Sequence, residues 1–321
     1  MNNIYYKREL SQELMNLFKE GGELNWIIDF VKREDSLDFQ TGSNNGKSWF
    51  SIYRGTGRVL TITTNRNGVP KFDASEVYKE LCRDFYGNPS KEEFRKLLEQ
   101  IGQKDTLKRY YDMSNEGFFQ TLIGRRFSLF CKEEDEFVII DKEFILGYES
   151  KKVRDKCTEQ LVNKYQGIID ELKNGGDAWT KNLEQTGNEC DFVAINREGD
   201  IILIELKHGK NTSGVSLSPL QVNKYADLLE KYLKIPENDF EKVVRNMIKQ
   251  KIALRILNPK WEIPEKLSGT IFRYVVCGSQ NIERYPTKDA KKRFCEIRKA
   301  VKNEGIKLFV CDMKGNLKEL L

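Results

Sequence analysis

The chain of 321 residues contains one histidine, His208. Zinc sites built from several imidazoles and HExxH metalloproteases need more than one, so both are excluded. A Ser-His-Asp hydrolase would have to use His208, and no Gly-x-Ser-x-Gly turn accompanies it. The seven cysteines (Cys82, Cys131, Cys157, Cys190, Cys277, Cys295, Cys311) are scattered and odd in number, with no Cys-x-x-Cys pair. That spacing speaks against a disulfide framework and a zinc ribbon; free thiols in a reducing cytosol fit it. No apolar run approaches the roughly 20 residues needed to cross a bilayer. The N-terminus lacks the charged-then-apolar layout of a signal peptide. A cytoplasmic protein with no membrane partner is expected. With these classes gone, hydrolytic chemistry would rest on carboxylates, lysine and water activated by a metal.

Charge is plentiful but nearly balanced. Charged residues make up 32% of the chain and the formal net charge is +5; the mean hydropathy is -0.60. A mild excess points to a polyanion only where it clusters. The clearest cluster is Lys291, Lys292, Arg293, Arg298, Lys299 and Lys302, within a helix expected over 287–303. The solvated face of an amphipathic helix accounts for it equally well. If the chain binds nucleic acid, Lys291, Lys292, Arg298 and Lys299 are its candidate phosphate contacts. Gly42-Ser43-Asn44-Asn45-Gly46-Lys47-Ser48 falls short of a phosphate-binding loop. It has three residues between the glycines where four are needed, and it reads as a turn between strands.

The most informative stretch is 186–208. Two apolar runs, Phe192 to Ile195 and Ile201 to Leu206, flank the polar turn Asn196-Arg197-Glu198-Gly199-Asp200. This is a β-hairpin pattern. Side chains two apart on a strand share a face, so Glu205 and Lys207 point the same way, and the fold-back brings Asp191 beside them. Two carboxylates and an ammonium then converge next to an apolar sheet, where charges are costly unless paired or metal-bound. A hard divalent cation, Mg²⁺ first, suits the two acids. A surface salt bridge closing the hairpin is the plainer alternative. Glu-x-Lys also occurs at Glu149-Ser150-Lys151 and Glu171-Leu172-Lys173, but neither follows a continuous β-favouring run.

Asp191 with Glu205-Leu206-Lys207 resembles the PD-(D/E)xK nuclease superfamily, whose fold is restriction-endonuclease-like. Cys190 stands where the family name has proline. Gly187-Asn188-Glu189-Cys190-Asp191-Phe192-Val193-Ala194 is similar to the GxExDxxA form of the RecB-like branch. Gln221-Val222-Asn223-Lys224-Tyr225 resembles that branch's QxxxY helix. Gln221 and Tyr225, four apart, share a helix face. This helix is expected to start with Ser218 as N-cap and Pro219 at the first position and to run to about Leu233.

The resemblance implies a Mg²⁺-dependent phosphodiesterase, with Mn²⁺ as a substitute, acting on nucleic acid and on DNA before RNA. Asp191, Glu205 and the Leu206 backbone carbonyl would hold the metal. Lys207 would orient the attacking water and steady the phosphate, Gln221 would position Lys207 or the water, and Glu189 and Tyr225 would support them. An outer metal ligand is expected on the preceding helix, 152–173, at Glu159 or else Glu171.

The expected fold is α/β. Residues 151–321 form a restriction-endonuclease-like αβββαβ core, with its first strand near Trp179 to Leu183. Residues 1–150 form a separate α+β domain, including a helix near Ala74 to Phe85. A nucleic-acid-binding protein of this fold with little catalysis is the main alternative. Nothing in the sequence decides between a monomer and a homodimer.

Overall fold

The computed structural model describes residues 4–321 except 45–46, 75–89, 104–107, 109, 176, 182, 185–186 and 188. The expected helix near Ala74 to Phe85 and Cys82 fall outside the described residues. The strands are β1 (Ile4–Tyr5), β2 (Leu37–Asn44), β3 (Lys47–Arg54), β4 (Gly57–Thr64), β5 (Pro70–Ala74), β6 (Phe137–Phe144), β7 (Gly147–Tyr148), β8 (Cys190–Asn196), β9 (Ile201–His208), β10 (Ile271–Gly278), β11 (Ile306–Cys311) and β12 (Leu317–Glu319). The α-helices are α1 (Gln12–Phe18), α2 (Asn25–Arg33), α3 (Lys91–Gln103), α4 (Glu116–Arg126), α5 (Lys151–Asn174), α6 (Thr212–Leu233), α7 (Phe240–Ala253) and α8 (Lys288–Ala300). The protein is mixed α/β.

Two compact units divide the chain, which passes from one to the other at 141/142, near the expected 150, but also at 6/7, 241/242 and 263/264. One comprises residues 7–141 and 242–263; the other comprises 1–6, 142–241 and 264–321. The segment 242–263, expected in the C-terminal half, thus belongs with the N-terminal unit. Its Leu254 and Ile256 are buried in that unit's apolar core, with Leu14, Phe18, Ile27 and Phe50.

In that first unit, β2 to β5 form an antiparallel meander in sequence order. The sequence reading missed β5 and also α2, where Ile27, Ile28, Phe30 and Val31 make one buried stripe. The phosphate-loop near-match lies on the antiparallel β2–β3 pair, where Gly42 faces Trp49 in register. A Cβ at Gly42 would sit 2.2 Å from the Trp49 ring. That glycine makes room for an indole.

The second unit is organised by the six-stranded sheet, in the order β12-β11-β10-β9-β8-β6. β8 and β9 are antiparallel, from Phe192↔Ile204 to Ile195↔Ile201. β10 runs parallel to β9, and β11 parallel to β10. β9 is central, and residues Ile201 to Leu206 are all buried, which is why its run is continuously apolar rather than alternating. The β8–β9 turn is fixed by Asn196, whose Oδ1 accepts from Asp200 N at 2.8 Å. Gly199 sits at φ +82°, and a Cβ there would come 2.2 Å from Lys266 O. Gly199→Ala is therefore expected to cost at least about 1–3 kcal/mol, read as a lower midpoint in denaturant unfolding. An unchanged midpoint would show that the turn relaxes freely.

Two local expectations are corrected. Residues 178–180 form a short 3₁₀ turn in place of a strand. Both the amide and the hydroxyl of Thr180 bond back to Asp177 O, at 3.0 and 2.8 Å. The strand beside β8 is instead β6, which precedes α5 in the chain. The helix carrying Gln221 begins at Thr212, capped by Asn211, whose side chain accepts from Gly214 N at 2.9 Å. Ser218 and Pro219 lie inside it. Pro219 has no N–H for Val215 O, its partner four residues back. The Ser218 hydroxyl donates to that carbonyl at 2.7 Å, so the helix continues through the proline.

Candidate active site

Asp191 is the second residue of β8, and one step beyond the Phe192↔Ile204 pair the register sets it opposite Glu205, so the two side chains share a face. Where the ladder ends, Asp191 Oδ2 accepts a hydrogen bond from Leu206 N at 2.7 Å. Lys207 Nζ donates to Glu205 Oε1 at 2.6 Å and to Leu206 O at 2.9 Å. Glu205 is buried, with a side chain 3% exposed against 12% for Lys207. Two carboxylates, one carbonyl and one ammonium are thus tied together at the end of the hairpin, as period-two alternation requires. Burial raises the Asp191 pKa above the ordinary carboxylate range, and the Glu143 carboxylate adds to the rise. The Lys207 charge and the Leu206 amide pull the other way without cancelling it.

Glu143 is the acid that sequence reasoning missed. It stands near the end of β6, half-buried, at φ 50°. The signal is weak: the polar Asp141-Lys142-Glu143 reads as the end of the apolar run Phe137 to Ile140. Glu159 and Glu171, the acids expected to complete the site, are both exposed on α5. No hydrogen bond or ion pair links Glu159 to the hairpin acids. Among the described residues, no three His, Cys, Asp or Glu side chains converge as a metal-holding group. A cation here would draw on two carboxylates and a carbonyl.

α6 covers this end of the sheet, packing on β9 and β10. Tyr225 is buried on it. Burial, followed by the charges of Glu205, Cys190, Asp191 and Glu189, drives the Tyr225 hydroxyl pKa far upward, so it stays protonated. Glu189 itself is exposed. Gln221 Oε1 is buried and has no hydrogen-bond partner, so it accepts nothing from Lys207 here. His208 closes β9 as a buried residue, and its Nδ1 accepts from Lys210 N at 3.3 Å.

Cys190, beside Asp191, is fully buried. Burial first, then the Glu205 and Asp191 charges, push its thiol pKa well up, which removes it as a nucleophile. Among the described residues six cysteines are free, with Cys157 and Cys295 only partly buried. Iodoacetamide at neutral pH should label Cys157 and Cys295 in the native protein and leave Cys190 unmodified by peptide mass spectrometry. Prompt alkylation of Cys190 would show that the hairpin end is open.

No family model, curated protein or solved structure matches this chain. The site therefore has to be judged on its own donors. Hard oxygens from Glu205, Asp191 and Leu206, with the unsatisfied Gln221 Oε1 on the facing helix, are the donor set that Mg²⁺ or Mn²⁺ prefers, and in this sense the residues fit such an ion.

The basic face of α8 is less uniform than its sequence. Arg298 is committed to Glu304 at 3.1 Å and donates to Ile306 O at 3.3 Å. Lys292 stands 3.9 Å from Glu296, and Arg293 lies over the Trp179 ring at 5.2 Å. Lys292 and Lys299 are exposed and Lys291 partly so. Ala290, Phe294 and Ile297 form the buried stripe of the helix. No described helix is long and apolar enough to cross a membrane.

Proposed function

We propose that this protein is a metal-dependent nuclease that hydrolyses phosphodiester bonds in DNA, with a restriction-endonuclease-like core in its second unit. One observation carries the reading: Asp191, Glu205 and Lys207 meet on one face at the open end of the β8–β9 pair, joined through Leu206 N and Leu206 O. The order of an antiparallel pair, a helix bearing Gln221 and Tyr225, and then the parallel β10 supports the assignment. Each member of the Asp, Glu and Lys set is present, which favours a catalyst over a binding module of the same fold.

The roles follow from the chemistry of the groups. Asp191, Glu205 and the Leu206 carbonyl would hold Mg²⁺, which supplies Lewis-acid stabilisation of the phosphoryl oxygen and acidifies water. Lys207 offers three donors on a flexible stem, enough to orient the attacking water and neutralise charge on the phosphate. Gln221 Oε1, buried and unsatisfied, would accept from that water or from a released Lys207. The Tyr225 hydroxyl, held protonated by its burial and by the nearby acids, would supply a donor beside them. The test is cleavage of linear, circular, branched and single-stranded DNA with and without Mg²⁺. Absence of divalent-dependent cleavage on all four would overturn the proposal.

A further inference from the structure

The ammonium of Lys207 already occupies the oxygens that a metal would use. Its Nζ lies 2.6 Å from Glu205 Oε1 and 2.9 Å from Leu206 O. A divalent ion held through Glu205 Oε1 and the Leu206 carbonyl would need these two oxygens at about 2.0–2.6 Å. An ammonium cannot keep those contacts while an ion takes them, because two cations only a few ångströms apart repel strongly where little water screens them. Glu205, in turn, is 3% exposed, and a buried carboxylate left without a compensating charge is strongly destabilising. A positive charge beside Glu205 is therefore favoured, and in the metal-free chain Lys207 supplies one. Lys207 sits at the less buried end, 12% exposed against 3% for Glu205, and its four-carbon stem can swing without moving the backbone.

Building on the metal-nuclease reading above, we propose that Lys207 is a built-in competitor for the cation. It closes the site by holding Glu205 and Leu206 O, and arrival of a divalent ion displaces it and frees the amine for the phosphate. Loading and arming of the site are then a single event, and without the ion Lys207 is withheld from substrate. The exchange breaks no covalent bond: an ammonium leaves two oxygens and an ion takes them.

Two measurements test this, with Mn²⁺ alone as the probe. The native protein is acylated with an amine-reactive ester, with and without Mn²⁺, and modification at Lys207 is read by peptide mass spectrometry. Labelling of Lys207 should rise severalfold on Mn²⁺ addition while labelling of exposed lysines such as Lys292 stays constant. Titration calorimetry should show Lys207→Met binding Mn²⁺ at least about tenfold more tightly than the unmodified chain, because charge-assisted hydrogen bonds no longer have to be broken. If Mn²⁺ binds but Lys207 labelling is flat or falls, the displacement is wrong and the nuclease reading stands. If neither protein binds Mn²⁺, both fall.

Discussion

Asp191→Ala is expected to reduce Mg²⁺-dependent DNA cleavage by at least about a thousandfold, which corresponds to roughly 4 kcal/mol of lost transition-state stabilisation, while DNA binding changes little. The reason is position. Asp191 is one of two carboxylates at the hairpin end, and its Oδ2 is held toward the site by the Leu206 amide at 2.7 Å. Asp191→Asn sharpens the test, since the amide oxygen can still accept from Leu206 N but carries no charge for a cation. Cleavage should be lost in both variants, and the asparagine form should keep its fold.

Stability should move in the opposite direction from activity. Burial and Glu143 raise the Asp191 pKa in the folded protein, so the folded chain holds that proton more tightly than the unfolded chain does. The resulting stability is fully present below the unfolded carboxylate range and is lost as pH rises through the raised folded pKa. Wherever Asp191 is ionised in the folded chain, its charge is therefore a cost. Asp191→Asn should raise the metal-free Tm at pH 7, and the difference should vanish in acid, where Asp191 is neutral too. Trading stability for a charged site is the usual mark of a functional position. Retained cleavage in a pure Asp191→Ala preparation would remove Asp191 from the chemistry. A lower Tm for Asp191→Asn at pH 7 would show that its charge serves the fold.

The hairpin was legible because its information is local. Phe192 to Ile195, Gly199 and Ile201 to Leu206 mark two strands and a turn within one short stretch, and period-two alternation then sets Asp191, Glu205 and Lys207 on one face. The surroundings were less legible because they come from distant chain. β6 reaches the edge beside β8 from the far side of α5, and nothing in its sequence states that pairing, so Glu143 went unread while the exposed Glu159 was taken from the resemblance, which expects an acid on that helix. The start of α6 was misplaced for a different reason. Pro219 carries a strong helix-start signal, and the hydroxyl bond of Ser218 that lets the helix run through it depends on side-chain orientation. The grouping of 242–263 with the first unit rests on the burial of Leu254 and Ile256, which helical periodicity predicts but cannot assign to a particular core.

The two faces of α8 should separate under mutation, with a large stability effect on the inner one. Phe294 is fully buried on the helix face that packs against α6. Phe294→Ala should cost about 3–5 kcal/mol through lost burial and the cavity left behind, read by denaturant unfolding. Lys291→Glu with Lys292→Glu lies on the outer face and should stay within about 0.5 kcal/mol per site of the parent. If that face meets phosphate, the double variant should bind DNA more weakly, with a log–log salt slope flatter by about one unit per lost contact, while turnover at saturating DNA is preserved. The bonds of Arg298 to Glu304 and Ile306 O tie it to the fold, so Arg298→Ala should act on stability more than on the salt slope. An unchanged affinity and slope in the double variant would strip α8 of a binding role and leave its lysines as the solvated side of a packing helix. A small loss of stability in Phe294→Ala would instead show that the α6–α8 contact relaxes, and that the site on the facing sheet does not depend on it.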